Sequence, residues 1–437
     1  MQTGAAAQAK SRRTGDEMQD ARPGSAEEWR RGWPLLLAAT AAISFGAIPT
    51  ATLGMFMQPL QQEFGWSRAT ISLGLMVFAV VSTPLSPFAG ALVDRFGSRR
   101  VAVPGLALSG LCFAAFSLVG GVVGLWIAVW VAYTLCALFI RSTVWNRAVS
   151  GAFVTSRGLA IAVLLSGTSL ASAGAPFVTH LLIDNAGWEG AYIGLGIGWA
   201  GIAWVLVLLF FHEPLAAPSA PRGASEPAQP RMVPGGLSVR EALRNPAILR
   251  IAAAVMLQVT ISASIAVHLV PIHTSMGASR GEAAGILSLA GIGGVLAKLA
   301  TGYFADRFRS GVLPLVAFSL PGVGYAMILY GDGSIPVLAG ATFIIGCGGG
   351  SALHMILYLT TQYAGLRNFG KIYGSIAALM GLGAGIGPSV AGYVHDVTQS
   401  YALFLTGAIP VLVLAGLLVC GLGPYPEFRP EPAPPQR

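Results

Sequence analysis

The chain has 437 residues, of which 54% are hydrophobic and 10% are charged, and it carries a formal net charge of +8 with a mean hydropathy of +0.69. A water-soluble core cannot accommodate this much apolar surface, so the composition excludes an ordinary soluble protein and predicts a polytopic protein of the lipid bilayer. The positive charge could suggest a nucleic-acid partner, but the distribution of the basic residues along the chain excludes one, as described below.

Residues 1–32 are polar and are predicted to form a cytosolic N-terminal tail. The apolar run that follows is too long for the core of a signal peptide and has no small-residue cleavage pattern, so we expect it to be retained as the first span. A bilayer core requires about 20 consecutive apolar residues per helix. Runs of that kind predict twelve transmembrane helices, at residues 33–57, 69–93, 101–119, 123–150, 158–183, 190–211, 247–271, 282–305, 311–330, 335–362, 370–394 and 401–421.

A stretch rich in Pro, Ala, Gly and Arg, residues 212–246, interrupts the apolar pattern and is predicted to be a cytosolic linker. Its last part, from Ser238 to Arg244, is predicted to form a short surface helix. The linker separates an N-terminal half, residues 33–211, from a C-terminal half, residues 247–421. Residues 422–437 are predicted to be a cytosolic C-terminal tail.

The basic residues lie almost entirely on one side of the predicted membrane. Of the 26 Lys and Arg residues, only Arg68 and Arg280 fall on loops of the opposite side, and only Arg141 and Lys298 fall deep within spans, away from the cytosolic ends. Lys and Arg are enriched in the cytosolic loops of membrane proteins. The pattern therefore predicts that both termini are cytosolic, and it explains the net charge without a nucleic-acid partner.

Several features recur at a constant separation of 212 residues. The stretch Gly90-Ala-Leu-Val-Asp94-Arg95-Phe96 returns as Gly302-Tyr-Phe-Ala-Asp306-Arg307-Phe308. The other matches are Gly65, Ser67 and Arg68 with Gly277, Ser279 and Arg280, Pro176 with Pro388, and Asp184 with Asp396. One offset that holds from the second span to the end of the fifth indicates two six-helix halves related as parallel repeats.

The repeated stretch resembles the signature loop of the major facilitator superfamily, which reads Gly-x-x-x-Asp-Arg-x-Gly followed by Arg-Arg. Its residues here are Gly90, Asp94, Arg95, Gly97, Arg99 and Arg100, with a shorter copy at Gly302, Asp306 and Arg307. The resemblance covers nearly all of residues 33–421 and implies an all-α membrane protein with twelve transmembrane helices in two six-helix pseudo-repeat halves.

In that superfamily the signature loop is a gate that fastens the two halves together on the inner face. The resemblance implies that Asp94 pairs across to the other half, with Arg147 or the start of span eleven near Gly370 and Lys371 as its partner, and favours the outward-open state. Arg99 and Arg100 have the alternative role of anchoring the topology beside lipid headgroups.

Span five carries Gly174-Ala-Pro176, which is similar to the superfamily's Gly-Pro motif, with Ala175 in place of a glycine. The resemblance implies that Gly174, Pro176 and the repeat mate Pro388 are helix-packing residues. A glycine-rich stretch in span ten, Gly346-Cys-Gly-Gly-Gly350, lacks the Lys-Ser/Thr of a phosphate loop and lies inside a span. We expect it to allow close helix packing or gating movement.

Three stretches resemble the monocarboxylate and oxalate carrier branch of the superfamily: Phe56 to Arg68, Ser156 to Ala160, and His268 to Pro271. This resemblance implies a secondary carrier of small organic anions that works by alternating access, with a co-transported proton as an option. The high ratio of Arg to Lys is typical of a bacterium, so we expect a multi-pass monomer of the cytoplasmic (inner) membrane. The alternative is an exporter of drugs or siderophore-like compounds, which would favour an acid inside the membrane, and none is evident.

Two cations lie within predicted spans, Arg141 in span four and Lys298 in span eight. A charge at membrane depth is costly and marks a functional site by default, and the acids of the chain fall at helix ends or in loops. Unpaired cations facing a cavity attract an anion, so both are candidate substrate-binding residues. The alternatives are that Lys298 reaches towards the cytosol and that Arg141 makes a structural bond.

The branch resemblance adds to the case for Lys298, because it lies four residues before Gly302, where the resembled carriers have a basic residue that holds the substrate carboxylate. Their aspartate one turn earlier is Gly294 here, so their route for proton coupling is not implied. His268 and His354 lie in or near spans seven and ten and are candidate proton-coupling residues, with a structural role as the alternative.

No enzymatic activity, metal site or cofactor is expected. The four cysteines, Cys112, Cys136, Cys347 and Cys420, lie in predicted helices without metal-like spacing. The sequence also contains no recognisable set of nucleophile and base and no nucleotide-binding loop.

Overall fold

The computed structural model describes residues 25–153, 156–212, 232–233, 235–307, 311–365, 367–426, 428 and 431–432, and the side chains of Asp94 and Asp306 lie outside this description. The described chain is almost entirely helical. Its helices are α1 (Ser25–Phe64), α2 (Arg68–Phe96), α3 (Ser98–Ala114), α4 (Val123–Ala137), α5 (Ser142–Ala152), α6 (Arg157–Ile193), α7 (Ala200–Phe210), α8 (Val239–Ala242), α9 (Pro246–Ser275), α10 (Arg280–Arg307), α11 (Val312–Tyr330), α12 (Ile335–Ala364), α13 (Phe369–Thr398) and α14 (Ala402–Val419).

Shorter elements continue or connect some of these helices. They are the 3-10 turns Ala115–Leu118 and Leu138–Ile140, the π-helical segment Gly194–Trp199, and two two-residue strands, β1 (Met232–Val233) and β2 (Glu431–Pro432), which pair antiparallel.

Within the described residues, eleven helical segments are long and apolar enough to cross a membrane, and the longest, Leu159–Phe210, has 52 residues. This segment contains two spans, because Gly187 has φ 73° and ψ 174° and interrupts the helix. A straight helix would separate Leu182 from Gly194 by about 18 Å, whereas a Cβ on Gly194 would lie 2.9 Å from the Leu182 side chain. The chain therefore turns back at Gly187, and the prediction of twelve spans is confirmed.

The first helix begins earlier than the sequence suggests. It starts at Ser25, eight residues before the predicted first span. Glu28 is 5% exposed and accepts a hydrogen bond from the backbone N–H of Ser156 at 3.0 Å. The rings of Trp29 and Phe153 lie 5.2 Å apart. This polar first turn is thus helical because it packs against the connection between α5 and α6, a tertiary contact that its sequence does not reveal.

The short helix predicted near Ser238 is confirmed as α8. The Ser238 hydroxyl accepts from the backbone N–H of Glu241 at 3.2 Å, and the Glu241 carboxylate accepts from the backbone N–H of Ser238 at 2.7 Å, which is a capping box. The bond from the Ser238 backbone holds the pKa of the Glu241 carboxyl below its usual value. Asn368 then donates to the carbonyl of Leu237 at 2.9 Å, so the end of the linker is attached to the C-terminal half.

The molecule has two opposite faces. On the terminal face, α1 and α9 begin and α7 and α14 end. On the loop face, the connections pass through glycines with positive φ, a backbone conformation that favours glycine. These glycines are Gly65, Gly120, Gly121, Gly187, Gly277 and Gly333.

The two halves contact each other through α1 with α9, α2 with α13 and α6 with α10. Near the loop face these contacts are close: a Cβ on Gly392 would lie 2.7 Å from the backbone nitrogen of Ala69, and one on Gly385 would lie 2.7 Å from the carbonyl oxygen of Leu75. Towards the terminal face, a Cβ on Gly374 or Gly90 would meet no described atom within 4 Å. The halves are therefore closed at the loop face and separated at the terminal face.

We expect Gly385→Leu to destabilise this closed arrangement, because the new side chain would meet the backbone of α2. Overpacking of this kind costs about 1–3 kcal/mol. The matched control is Gly374→Leu on the same helix, where a Cβ meets open space. Thermal unfolding of the purified variants should show a lower midpoint for Gly385→Leu only, and equal midpoints would contradict the described contact.

Candidate functional site

Span four is broken at Arg141. This residue has φ −65° and ψ 157°, which is an extended conformation between the turn Leu138–Ile140 and the start of α5. Backbone groups at membrane depth need partners within the protein, and here the indole N–H of Trp145 donates to the carbonyl of Ile140 at 2.7 Å. The break is thus stabilised by a fully buried tryptophan.

The Arg141 side chain is half-buried and donates through Nη1 to Ser86 Oγ at 3.0 Å. Ser86 lies three residues beyond Thr83, whose hydroxyl would be 3.7 Å from a Cβ on Gly381. Because this is the point at which α2 and α13 begin to separate, Arg141 lies at the edge of the open space between the halves. Its described partner is neutral, which leaves the guanidinium charge uncompensated by that contact.

Lys298 lies on the strip of α10 that contacts both α6 of the other half and α12 of its own half. A Cβ on Gly291 would lie 3.0 Å from Ala173 of α6, and one on Gly294 would lie 3.4 Å from the carbonyl of Gly346 on α12. Residues four and seven positions further along a helix lie on the same face, so Lys298 follows these contacts towards the terminal face. The side chain is half-buried, and no described residue gives it an ion pair or a hydrogen bond.

The structure brings His354 close to this strip. A Cβ on Gly302 would lie 3.4 Å from the imidazole of His354, and Gly302 is one helical turn beyond Lys298. In the turn between them, Thr301 and Ser351 share a hydrogen bond of 3.0 Å. The sequence analysis named Lys298 and His354 separately. The structure places His354 of α12 beside Gly302, which is one turn of α10 beyond Lys298.

His268 lies elsewhere, near the loop face. It is fully buried, with Nδ1 2.7 Å from the Tyr401 hydroxyl and Nε2 2.9 Å from the carbonyl oxygen of Pro388. A carbonyl only accepts, so Nε2 carries the proton and Nδ1 accepts from Tyr401. The two candidate proton-coupling histidines are therefore separated, and His268 has the hydrogen bonds of a structural residue.

Two arginines connect the halves at the loop face. Arg68 donates through Nε to Gln61 at 3.2 Å and through Nη1 to the Tyr401 hydroxyl at 2.6 Å. The backbone N–H groups of Arg68 and Ala69 donate to the two carboxylate oxygens of Asp396, at 3.1 and 2.9 Å. Arg68 begins α2 and Asp396 is near the end of α13, so these bonds join opposite halves.

Arg280 makes the reciprocal connection. It donates to Asp184 Oδ1 at 3.1 Å and to Gln58 Oε1 at 3.3 Å, and here the arginine belongs to the C-terminal half. We call Arg68, Arg280, Asp184 and Asp396 the loop-face latch. The sequence analysis did not identify this latch. A signal for it was present, since the two arginines and the two aspartates each match at the offset of 212 residues.

The signature loop is described in part. The N–H of Gly97, which has φ 86°, donates to the carbonyl of Val93 at 2.9 Å and ends α2. Arg99 donates to the carbonyl of Leu208 on α7 at 3.0 Å, so it has a structural partner. Arg95 lies over the ring of Phe96, Arg307 lies over the ring of Tyr303, and Arg100 is exposed. The pairing predicted for Asp94 lies outside the described residues and stays a prediction.

The predicted packing residues differ in outcome. A Cβ on Gly174 would meet no described atom within 4 Å, so in this conformation the packing role predicted for it falls to Ala173, which accepts from Ser288 Oγ at 2.6 Å. Successive helical residues are rotated by about 100°, which turns Gly174 away from α10. Pro176 and Pro388 are both buried, as expected of packing residues.

The glycines of span ten pack closely, as expected. Their nearest neighbours are Ala290 for Gly346, Pro321 for Gly348 and Gly294 for Gly350.

Several known proteins similar to this chain are named as transporters. The sequence profile of the Major Facilitator Superfamily matches residues 35–364. Monocarboxylate transporter 11 of Homo sapiens is 26% identical over 412 residues, covering 89% of this chain and 82% of that protein. Monocarboxylate transporter 13 of Bos taurus is 25% identical over 396 residues, covering 89% of this chain and 88% of that protein.

Solved structures show the same fold. A bacterial homolog to the human lysosomal transporter Spinster, in an inward-facing and unoccupied conformation, superposes with a TM-score of 0.66 at 17% identity, over 90% of this chain and 96% of that one. The nucleoside transporter NupG superposes with a TM-score of 0.69 at 14% identity, over 89% of this chain and 99% of that one. These are transporters and not enzymes, in agreement with the expected absence of enzymatic activity.

We expect Tyr401→Phe to destabilise the closed loop face. Removing the hydroxyl leaves a buried nitrogen of His268 and an N–H of Arg68 without their partner, which costs about 1–3 kcal/mol. The matched control is Tyr393→Phe, because the Tyr393 side chain is 64% exposed. Thermal unfolding of both variants checks this, and an equal loss of stability would contradict the hydrogen-bond chain.

Proposed function

The chain belongs to the major facilitator superfamily, and from this premise we propose that it is a secondary active transporter of small, monocarboxylate-like organic anions that works by alternating access. The observation that carries the proposal is Lys298, a half-buried cation of α10 to which no described residue gives an ion pair or a hydrogen bond. A charge at membrane depth costs about 2.5 kcal/mol or more, so an uncompensated lysine there is best explained by a ligand of opposite charge.

Arg141 supports the same proposal from the N-terminal half. Its described partner, Ser86, is neutral, and a guanidinium can bind a carboxylate through two parallel hydrogen bonds. The names of the similar animal proteins also point to monocarboxylates as a substrate class. We propose that Lys298 and Arg141 hold the substrate anion between the two halves.

We propose that the terminal face is cytosolic, so that the structure is an inward-facing state. Described basic residues near that face outnumber those near the loop face, which has Arg68 and Arg280, and such an excess is typical of the cytosolic side. They are Arg30, Arg31, Arg95, Arg99, Arg100, Arg147, Arg157, Arg240, Arg244, Arg250, Arg307, Arg367 and Lys371. The proposal includes cytosolic residues 1–32, 212–246 and 422–437 around the two halves, and a monomer in the inner membrane of a bacterium.

In the outward-facing state we propose the reverse arrangement, reached by rocking of one half against the other. The loop-face latch separates, and the signature loop with Gly90 and Asp94 approaches the start of α13 near Gly370 and Lys371. The open space now found at Gly90 and Gly374 leaves room for that approach.

We expect a small carboxylate to stabilise the protein and Lys298→Gln to reduce this effect. A ligand that binds only the folded state adds about 2.7 kcal/mol at 100 times its Kd, so even a weak substrate is detectable by thermal shift. The panel is lactate, pyruvate, oxalate, longer and aromatic carboxylates, amines and hydrophobic drugs. Uptake into proteoliposomes should then follow the stabilising class.

The controls separate charge from position. Lys298→Arg keeps the charge and should retain part of the stabilisation. Arg240→Gln removes an exposed cation of α8 to which no role is assigned and should behave as wild type. Stabilisation by amines or drugs alone, unchanged in Lys298→Gln, would sink the anion proposal and favour an exporter.

We further propose that a proton accompanies the anion and that His354, beside the Lys298 strip, carries it. His354→Gln should then abolish accumulation driven by a pH gradient but retain exchange of labelled for unlabelled substrate, because exchange needs no net proton movement. The matched control is His212→Gln, at an exposed histidine of the terminal face. Loss of both activities, or of neither, would remove His354 from proton coupling.

A further inference from the structure

A polar cavity of about 220 Å³ lies at the loop face between α1 and α9, on the closed side of the molecule. Glycine and proline, at Gly54 and Pro271, form part of its wall. The polar side chains that line it are Gln58, Gln61, Arg68, Thr274, Ser275 and Arg280. The lining contains two cations and no acid.

No described carboxylate forms an ion pair with the guanidinium of Arg68, although Asp396 lies close to the Arg68 backbone. Its described partners, Gln61 and Tyr401, are both neutral, and the nearby carboxylate of Asp396 accepts from the backbone N–H groups of Arg68 and Ala69 instead. Nη2 of Arg68 has no acceptor among the described residues. A buried or half-buried guanidinium in this situation has donors and a charge available to an anion.

Arg280 contributes the second cation and is compensated in part. One carboxylate oxygen of Asp184 accepts from its Nη1, and the Asp184 side chain is 49% exposed. The side-chain oxygens of Gln58 and Gln61 accept from the two arginines, so their amide nitrogens are left as donors. The cavity therefore presents guanidinium and amide N–H groups from both halves.

We propose that this cavity is a second anion site, which binds a small carboxylate at the loop face, separately from Lys298. The inference rests on the proposed function for the choice of carboxylate as ligand. Arg68 and Arg280 belong to different halves, so a carboxylate bound to both ties α2 to α10 and adds to the loop-face closure. In the proposed orientation this site meets substrate from outside the cell.

The test measures local charge through a single cysteine, without any transport assay. In the full chain with the four native cysteines replaced by alanine, Ser275→Cys lines the cavity, and Ser375→Cys on the terminal side of α13 is the matched control. Each is reacted in nanodiscs with an anionic and a cationic methanethiosulfonate reagent. We expect the anionic reagent to be favoured at position 275, and the preference to fall about fivefold for each arginine neutralised, as one unit charge several ångströms away predicts.

The variants are Arg68→Gln, Arg280→Gln and the double change, with Arg280→Lys to retain the charge if a glutamine variant fails to fold. Pyruvate should slow the reaction at position 275 in the parent protein and in Lys298→Gln, but not in the double arginine variant. Sulfate at the same ionic strength should protect less than pyruvate, which separates carboxylate binding from inorganic anions and from screening.

The outcomes separate this inference from the proposed function. Equal reaction with both reagents at position 275, or equal protection by sulfate, would overturn the second site and leave Lys298 untouched. Protection that disappears in Lys298→Gln but persists in the double arginine variant would mean that pyruvate acts through Lys298 alone, and would also overturn it. If charge preference and protection at position 275 persist, and Lys298→Gln leaves the thermal shift of the double arginine variant unchanged, the second site is supported and the proposed role of Lys298 is wrong. The double arginine background is used because the second site no longer adds to the thermal shift there.

Discussion

The arrangement of the whole molecule depends on backbone contact between the two halves at the loop face. Helices in lipid gain little from the hydrophobic effect when they associate, and they rely on small residues and on hydrogen bonds. Gly385 and Gly392 bring α13 against the backbone of α2, and the loop-face latch adds bonds between α2 and α13 and between α6 and α10. Each half thus contributes one arginine and one aspartate to a closure that neither half can make alone.

This closure determines where the charged residues lie relative to open space. Arg141 lies on the terminal-face side of the last close approach of α2 to α13. Lys298 lies on the terminal-face side of the contact between Gly291 of α10 and Ala173 of α6. Arg68 and Arg280 lie on the opposite, closed side. The packed segments of α2, α6, α10 and α13 therefore lie between these two pairs of cations. An anion bound to one pair is not in direct contact with the other pair.

Much of the fold can be predicted from the sequence. The length of each apolar run identifies a span, and the constant separation of 212 residues between matching features identifies the two repeated halves. The helical residues before the predicted first span were not foreseen, since Glu28 and Trp29 are stabilised by contact with Ser156 and Phe153. The break at Arg141 was also invisible, because the apolar run 123–150 is continuous and the extended backbone is stabilised by Trp145.

The candidate site was predicted less completely. Lys298 and Arg141 were found because charge is rare in the spans. The latch was missed, because an offset shows which residues are equivalent in the two halves and does not show which residues meet. Gly174 is a similar case. The motif predicts close packing in that turn of α6, but only the packed structure shows that Ala173, and not Gly174, contacts α10.

The break in span four has a consequence for the electric field of the protein. A helix begins at Ser142 within the membrane, and the first N–H groups of a helix carry a partial positive charge of about half a unit. This charge belongs to the backbone beside Arg141, and no substitution of a side chain removes it. The preceding helical segment ends at Ile140 and presents carbonyl groups of opposite partial charge. The break therefore places both kinds of helix end beside Arg141, and the local field at a bound ligand depends on which end the ligand approaches.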